Sequence, residues 1–134
     1  TLRTEAGYML YGNDIDECTT PFECVYGWVV HLDKKSFVGK GALVRQKREG
    51  VKKKLVGFEM LDKAIARHNY MVYLAGREGG KVTSGCPAPT LGKNIGMAYL
   101  PEGLTEIGNT FDIKIRDQLH KARIVPLPFY KRKK

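Results

Sequence analysis

Between residues 51 and 127 apolar and polar positions alternate in short runs, and turn residues punctuate the runs. In VKKKLVGFEML (residues 51–61), Lys54, Val56, Phe58 and Met60 fall on one side and Leu55, Gly57, Glu59 and Leu61 on the other, which is the period of two of a β-strand. The same reasoning predicts strands over residues 70–74, 80–84, 94–99, 110–115 and 121–127. Gly76, Gly79-Gly80, Pro87 to Pro89, Pro101 to Gly103 and Gly108-Asn109 supply the turns between them. Short strands at this spacing predict a small barrel or a sandwich.

Upstream the pattern is different. Residues 40–49 read as one short helix: Ser36 is a candidate cap, Lys47 and Arg48 suit the negative C-terminal end, and Gly50 is a stop signal. Gly39 and Gly41 weaken its beginning. The segment CVYGWVVHLDK around Trp28 reads as a connector with some strand, and ECTTP (residues 17–21) as a turn. The expected organisation is an upstream region ending at residue 20, a connector with the helix over residues 21–50, and a β domain over residues 51–134. The fold class is mainly β (α+β).

The opening, TLRTEAGYMLYGNDID, concentrates Arg3, Glu5, Tyr8, Tyr11, Asp14 and Asp16 in sixteen residues and has no initiator methionine, so the chain is expected to begin inside a longer protein. Extended, this stretch puts Tyr8 and Tyr11 on opposite faces; helical, it makes them neighbours. In either form the aromatics could stack on a flat heterocycle, although core packing is the commoner use of tyrosine. Asp14 and Asp16 could be an acid–base pair, but after Gly12-Asn13 they read more simply as turn chemistry.

The net charge of +9 narrows little, because residues 131–134 and Lys52 to Lys54 carry seven of those charges. Two local clusters suit a chain end and a strand edge better than a nucleic-acid surface. The three cysteines lack metal-pair spacing, Cys86 reads as a small buried thiol, and His31, His68 and His120 stand singly. No metal site is expected. The longest apolar runs fall far short of the roughly 20 residues of a membrane helix. Neither a nucleophile elbow nor a phosphate loop occurs. Arg67-His68-Asn69 could hold an anion through the arginine fork, or brace neighbouring loops.

Four segments then converge. RTEAGYMLYGNDID (3–16), TTPFECVYGWVVHLDKKSFVGKGAL (19–43), VTSGCPAPTLGKNIGMAYL (82–100) and LPFY (127–130) together resemble the T-protein, the aminomethyltransferase of the glycine cleavage system, over its last third. The resemblance implies a small antiparallel barrel of jelly-roll type after the connector. It also implies tetrahydrofolate as acceptor and the lipoylated H-protein as partner, with ammonia released and methylenetetrahydrofolate formed. By the same resemblance the catalytic aspartate, a folate-contacting glutamate and an arginine lie upstream of Thr1, leaving no catalytic residue here. Tyr8 corresponds to an aromatic position of the folate site, Arg132 is the basic tail residue that reaches the folate, and Arg3 and Glu5 brace the motif. Localisation would be cytoplasmic in a bacterium and the mitochondrial matrix in a eukaryote. The terminal module of another folate-dependent demethylase or dehydrogenase, and a non-catalytic nucleic-acid-binding module, are the alternatives.

Overall fold

The computed structural model describes residues 2–131. A helical turn α1 (Leu2–Glu5) is followed by a loop region with a 3-10 turn at Gly27–Val29, then helix α2 (Lys40–Glu49). Six strands come next: β1 (Lys53–Met60), β2 (Met71–Leu74), β3 (Arg77–Ala88), β4 (Lys93–Pro101), β5 (Thr110–Ile115) and β6 (Gln118–Val125). They form a closed antiparallel barrel in the order β1-β4-β3-β2-β5-β6, sealed where β6 pairs with β1 (Phe58 opposite Ile124). The closing pair decides against the sandwich. β2, β3 and β4 are hairpin-connected and β1 lies beside β4, which is Greek-key winding.

The predicted strands are all present, with shifted limits at most of them. Gly79-Gly80 and Pro87-Ala88, expected as turns, lie inside β3. Gly79 is the extra residue of a bulge between Val72 opposite Gly80 and Tyr73 opposite Glu78. At Gly80 a Cβ would run into the carbonyl oxygen of Tyr99, so only glycine lets β3 and β4 approach there. The β2–β3 and β5–β6 connections are two-residue turns at Ala75-Gly76 and Arg116-Asp117, all four with positive φ. α2 has the predicted bounds, but its N-cap is Gly39 in the left-handed region, and no side chain caps it. Ser36 is therefore not the cap.

Side chains of Val56, Phe58, Val72, Val82, Leu100, Phe111, Ile113 and Ile124 fill the barrel, and Phe58 meets Phe111 edge to face at 5.5 Å. The alternate residues of β1 are not solvated, as a one-sided strand would require. Leu55 and Met97, on the outer face, are buried with Cys24 under Met9, Ile15, Tyr26, Leu127 and Phe129. The N-terminal arm and the C-terminal segment thus provide a second core outside the barrel. Tyr130 N–H donates to the Glu5 carbonyl at 2.9 Å, which brings the two ends of the chain together.

Candidate functional site

The opening motif is neither extended nor one continuous helix. α1 stops at Gly7 (φ 75°), where Ala6, Gly7 and Tyr8 N–H groups satisfy the carbonyls of Leu2, Thr4 and Arg3. A tight loop follows, closed by Asp14 N–H to the Leu10 carbonyl (2.9 Å) and Gly12 N–H to the Ile15 carbonyl (2.7 Å).

This loop delivers the Asp14 carboxylate into the outer face of the barrel, where its side chain is wholly enclosed. It accepts from Leu10 N–H (2.8 Å), lies 2.5 Å from Thr83 Oγ1 and 2.7 Å and 2.8 Å from Ser84 Oγ, and faces Arg3 Nη1 at 3.3 Å. Tyr99 Oη donates to the Asp14 carbonyl at 2.6 Å. Burial pushes the Tyr99 phenol above its ordinary range, so it stays a donor, and Lys53 Nζ lies 4.7 Å from its ring centroid. Both carboxylate oxygens and the carbonyl of Asp14 are thus engaged in holding the arm. Asp16 accepts from Cys18 N–H at 2.9 Å. Asp16 keeps to the local turn chemistry expected of it, whereas Asp14 combines its turn bond to Leu10 N–H with contacts across to β3.

Arg3 also donates to the Tyr8 carbonyl at 2.6 Å, while Tyr8 N–H donates to the Arg3 carbonyl at 3.1 Å. Arg3 is thus a brace. The clamp holds the Tyr8 backbone on both sides and leaves its ring outside: Tyr8 is 64% exposed and Tyr11 66% exposed, so neither packs in a core. Glu5 is buried, and its Oε1 has no hydrogen-bond partner among the described residues. A cleft of about 390 Å³ lies between the arm loop and β3, lined by Asn13, Asp16, Lys53, His68, Lys81 and Tyr99 among others; Tyr8 is not on its wall. Arg132 lies outside the described residues.

Away from the arm, Glu59 on the outer face of β1 is held by Lys93 Nζ at 2.7 Å and by the Arg123 guanidinium. Burial alone would raise its pKa, but the two cations outweigh it and hold the carboxyl below the usual range. The lysine cluster is partly occupied, since Lys53 also lies 4.0 Å from Glu23. Cys18, Cys24 and Cys86 are free thiols, of which Cys24 alone is buried, and burial pushes its pKa up. Cys86, read as buried, is half-buried. Among the described residues no three His, Cys, Asp or Glu side chains group as a metal would need, and no helix is long and apolar enough to cross a membrane.

Thr83, Ser84 and Glu59 carried no local signal as site-building residues. Each acts on a partner 34 or more positions away along the chain, and only the sheet register brings them together. The Trp28 segment is a 3-10 turn rather than a strand, with Trp28 76% exposed; none of the residues of α2 is buried.

A small Greek-key barrel with its own N-terminal arm strapped to the outer wall through one buried carboxylate defines the class: an arm-clasped β-barrel module. The profile of the glycine cleavage T-protein C-terminal barrel domain matches residues 53–131. An aminomethyltransferase of Prochlorococcus marinus is 50% identical over 133 residues, 98% of this chain and 36% of its own length. One of Rubrobacter xylanophilus is 53% identical over 135 residues, 100% of this chain and 36% of its own. The crystal structure of the glycine cleavage system aminomethyltransferase T of Bartonella henselae superposes with a TM-score of 0.92 at 28% identity, covering 96% of this chain and 37% of that one. The chain belongs to the glycine cleavage T-protein family. It spans a little over a third of the length of these relatives.

Proposed function

We propose that these residues are the C-terminal part of a tetrahydrofolate-dependent aminomethyltransferase. The complete enzyme takes the aminomethyl group from the lipoyl arm of the H-protein, releases ammonia and forms methylenetetrahydrofolate. The observation that carries a ligand role for this part is the clamped Tyr8: a fixed backbone with its ring exposed is a ready platform for a flat pterin, with little conformational entropy left to lose on binding.

Two features support the same place. Gly7 packs against Pro128 and Tyr130 bonds to Glu5, so the chain runs beside the Tyr8 turn just before Lys131 and Arg132, whose charges suit the carboxylates of a folate tail. Glu5 Oε1 is buried with no hydrogen-bond partner among the described residues, so it could accept from a donor of the complete enzyme. In this reading the residues here bind and orient, and the transfer falls to an aspartate that the family resemblance assigns outside this sequence. The test is tetrahydrofolate binding and methylene transfer from aminomethylated H-protein by the complete protein and its Tyr8→Ala variant. Unchanged folate affinity in the variant would refute the Tyr8 assignment, and absence of transfer by the complete protein would refute the activity.

A further inference from the structure

The loop between β1 and β2 and the β5–β6 hairpin border a cleft of about 550 Å³, within the range of small-molecule sites. Its wall carries Lys63, Arg67, Tyr70, Arg116, Gln118 and His120, over an apolar floor of alanine and isoleucine. No carboxylate lines it. The nearest acids in the two elements are not on its wall: Asp62 accepts from His120 at 2.7 Å, and Asp117, almost wholly in solvent, lies 4.0 Å from Lys114. Lys63, Arg67 and Arg116 have no ion-pair partner among the described residues.

Three like charges around one concavity repel one another, and an unsecured loop would carry them apart. This loop is secured. Asn94 Nδ2 donates to the carbonyls of Lys63 and Ala64, both at 3.0 Å, and Asp62 accepts from Ala64 N–H at 2.8 Å. Asn69 N–H reaches the Val82 carbonyl and Val82 N–H the Tyr70 carbonyl, each at 2.8 Å; His68 Nδ1 lies 2.9 Å from the Thr83 carbonyl. Ala66, buried, sits so close to Gly85 that any Cβ there would strike its carbonyl oxygen. On the facing hairpin, Arg116 occupies a left-handed turn position (φ 48°) that ordinarily goes to asparagine or glycine.

We infer that this cleft binds a small ligand with at least two oxyanion charges, of the phosphate or carboxylate type. The forks of Arg67 and Arg116 grip the oxyanions from opposite walls, Lys63 adds a point charge, and Tyr70 supplies an apolar face for the body of the ligand. The compact, pinned cluster favours a small polyanion over a nucleic-acid backbone, which would need a stripe of charge. This site is independent of the folate reading.

Isothermal titration of the full chain with inorganic pyrophosphate and, separately, with citrate at about 0.15 M salt tests it. The expected result is saturable binding of at least one probe, the tighter one naming the oxyanion class. Arg67→Gln and Arg116→Gln should each weaken it about tenfold, the scale of a lost charged hydrogen bond. Both side chains are exposed, so the variants should keep the wild-type circular dichroism. Arg45→Gln with Lys47→Gln on α2 removes two charges elsewhere and should leave binding unchanged. Failure of both probes to saturate below about 10 mM, or equal weakening by the α2 control, would overturn the inference.

Discussion

Thr83 Oγ1 lies 2.5 Å from Asp14 Oδ1, so a hydroxyl of β3 holds the carboxylate of an arm 69 positions earlier in the chain. With Ser84 on the same carboxylate and Arg3 bracing it from within the arm, this buried charge fastens the arm to the barrel beside the apolar contacts of Met9 and Ile15. Asp14→Ala should therefore destabilise the protein by about 3–5 kcal/mol, because Arg3 and two buried hydroxyls lose their common acceptor. Thr83→Val, which removes one donor and keeps the shape, should cost about 1–2 kcal/mol. Urea unfolding of the two variants checks the order, and an Asp14→Ala loss no larger than that of Thr83→Val would show that the carboxylate is not the fastening point.

The Glu59 triad predicts a pH dependence of definite sign. Its folded pKa lies below that of an unfolded glutamate, about 4.3, so the contribution of Glu59 is complete above that value and is lost as pH falls through the folded pKa. Asp62, held below its ordinary value against its own burial by His120 and Ala64 N–H, acts in the same direction. Glu59→Gln should make stability less steep between pH 5 and 3, as read from thermal melts across that range. An unchanged acid limb would mean the ion pairs with Lys93 and Arg123 are solvated away.

Most of the barrel was legible because its strands obey period two and its turns use glycine and proline in the open. Thr110–Ile115 was found with its true limits for that reason, and Lys40–Glu49 because Gly50 stops a basic last turn. What stayed hidden depended on long-range pairing. Leu55 shares its face of β1 with Glu59, and nothing local shows that the arm and the 127–129 segment cover it together with Met97; Gly79-Gly80 looked like a turn because a bulge and a turn use the same residue. The Tyr8 candidate came from family resemblance; no local pattern could show that Arg3 clamps both its backbone ends while the ring stays exposed.

Glu5 Oε1, buried without a hydrogen-bond partner among the described residues, gives a prediction whose outcome depends on what surrounds it. In these residues alone, Glu5→Gln should be neutral or stabilising by up to about 2 kcal/mol, since an amide is less expensive to bury than a carboxylate short of donors. In the complete enzyme, where a donor is proposed to meet Oε1, the same change should destabilise or weaken folate binding. Parallel melts of the two proteins, with and without folate, read the difference; the same sign in both would mean that no donor arrives.

Tyr8 separates stability from ligand binding most cleanly. Its ring is mostly in solvent and its two backbone bonds do not need the side chain, so Tyr8→Ala should change folding stability by no more than about 0.5 kcal/mol. A pterin stacked on the ring would gain about 0.5–1.5 kcal/mol from that contact, so the variant of the complete enzyme should bind tetrahydrofolate about two- to tenfold more weakly. Tyr8→Phe keeps the face and should bind like wild type if stacking is the interaction. A loss in Phe as large as in Ala would assign the contact to the phenol hydroxyl instead, and equal affinity in all three would remove Tyr8 from the site.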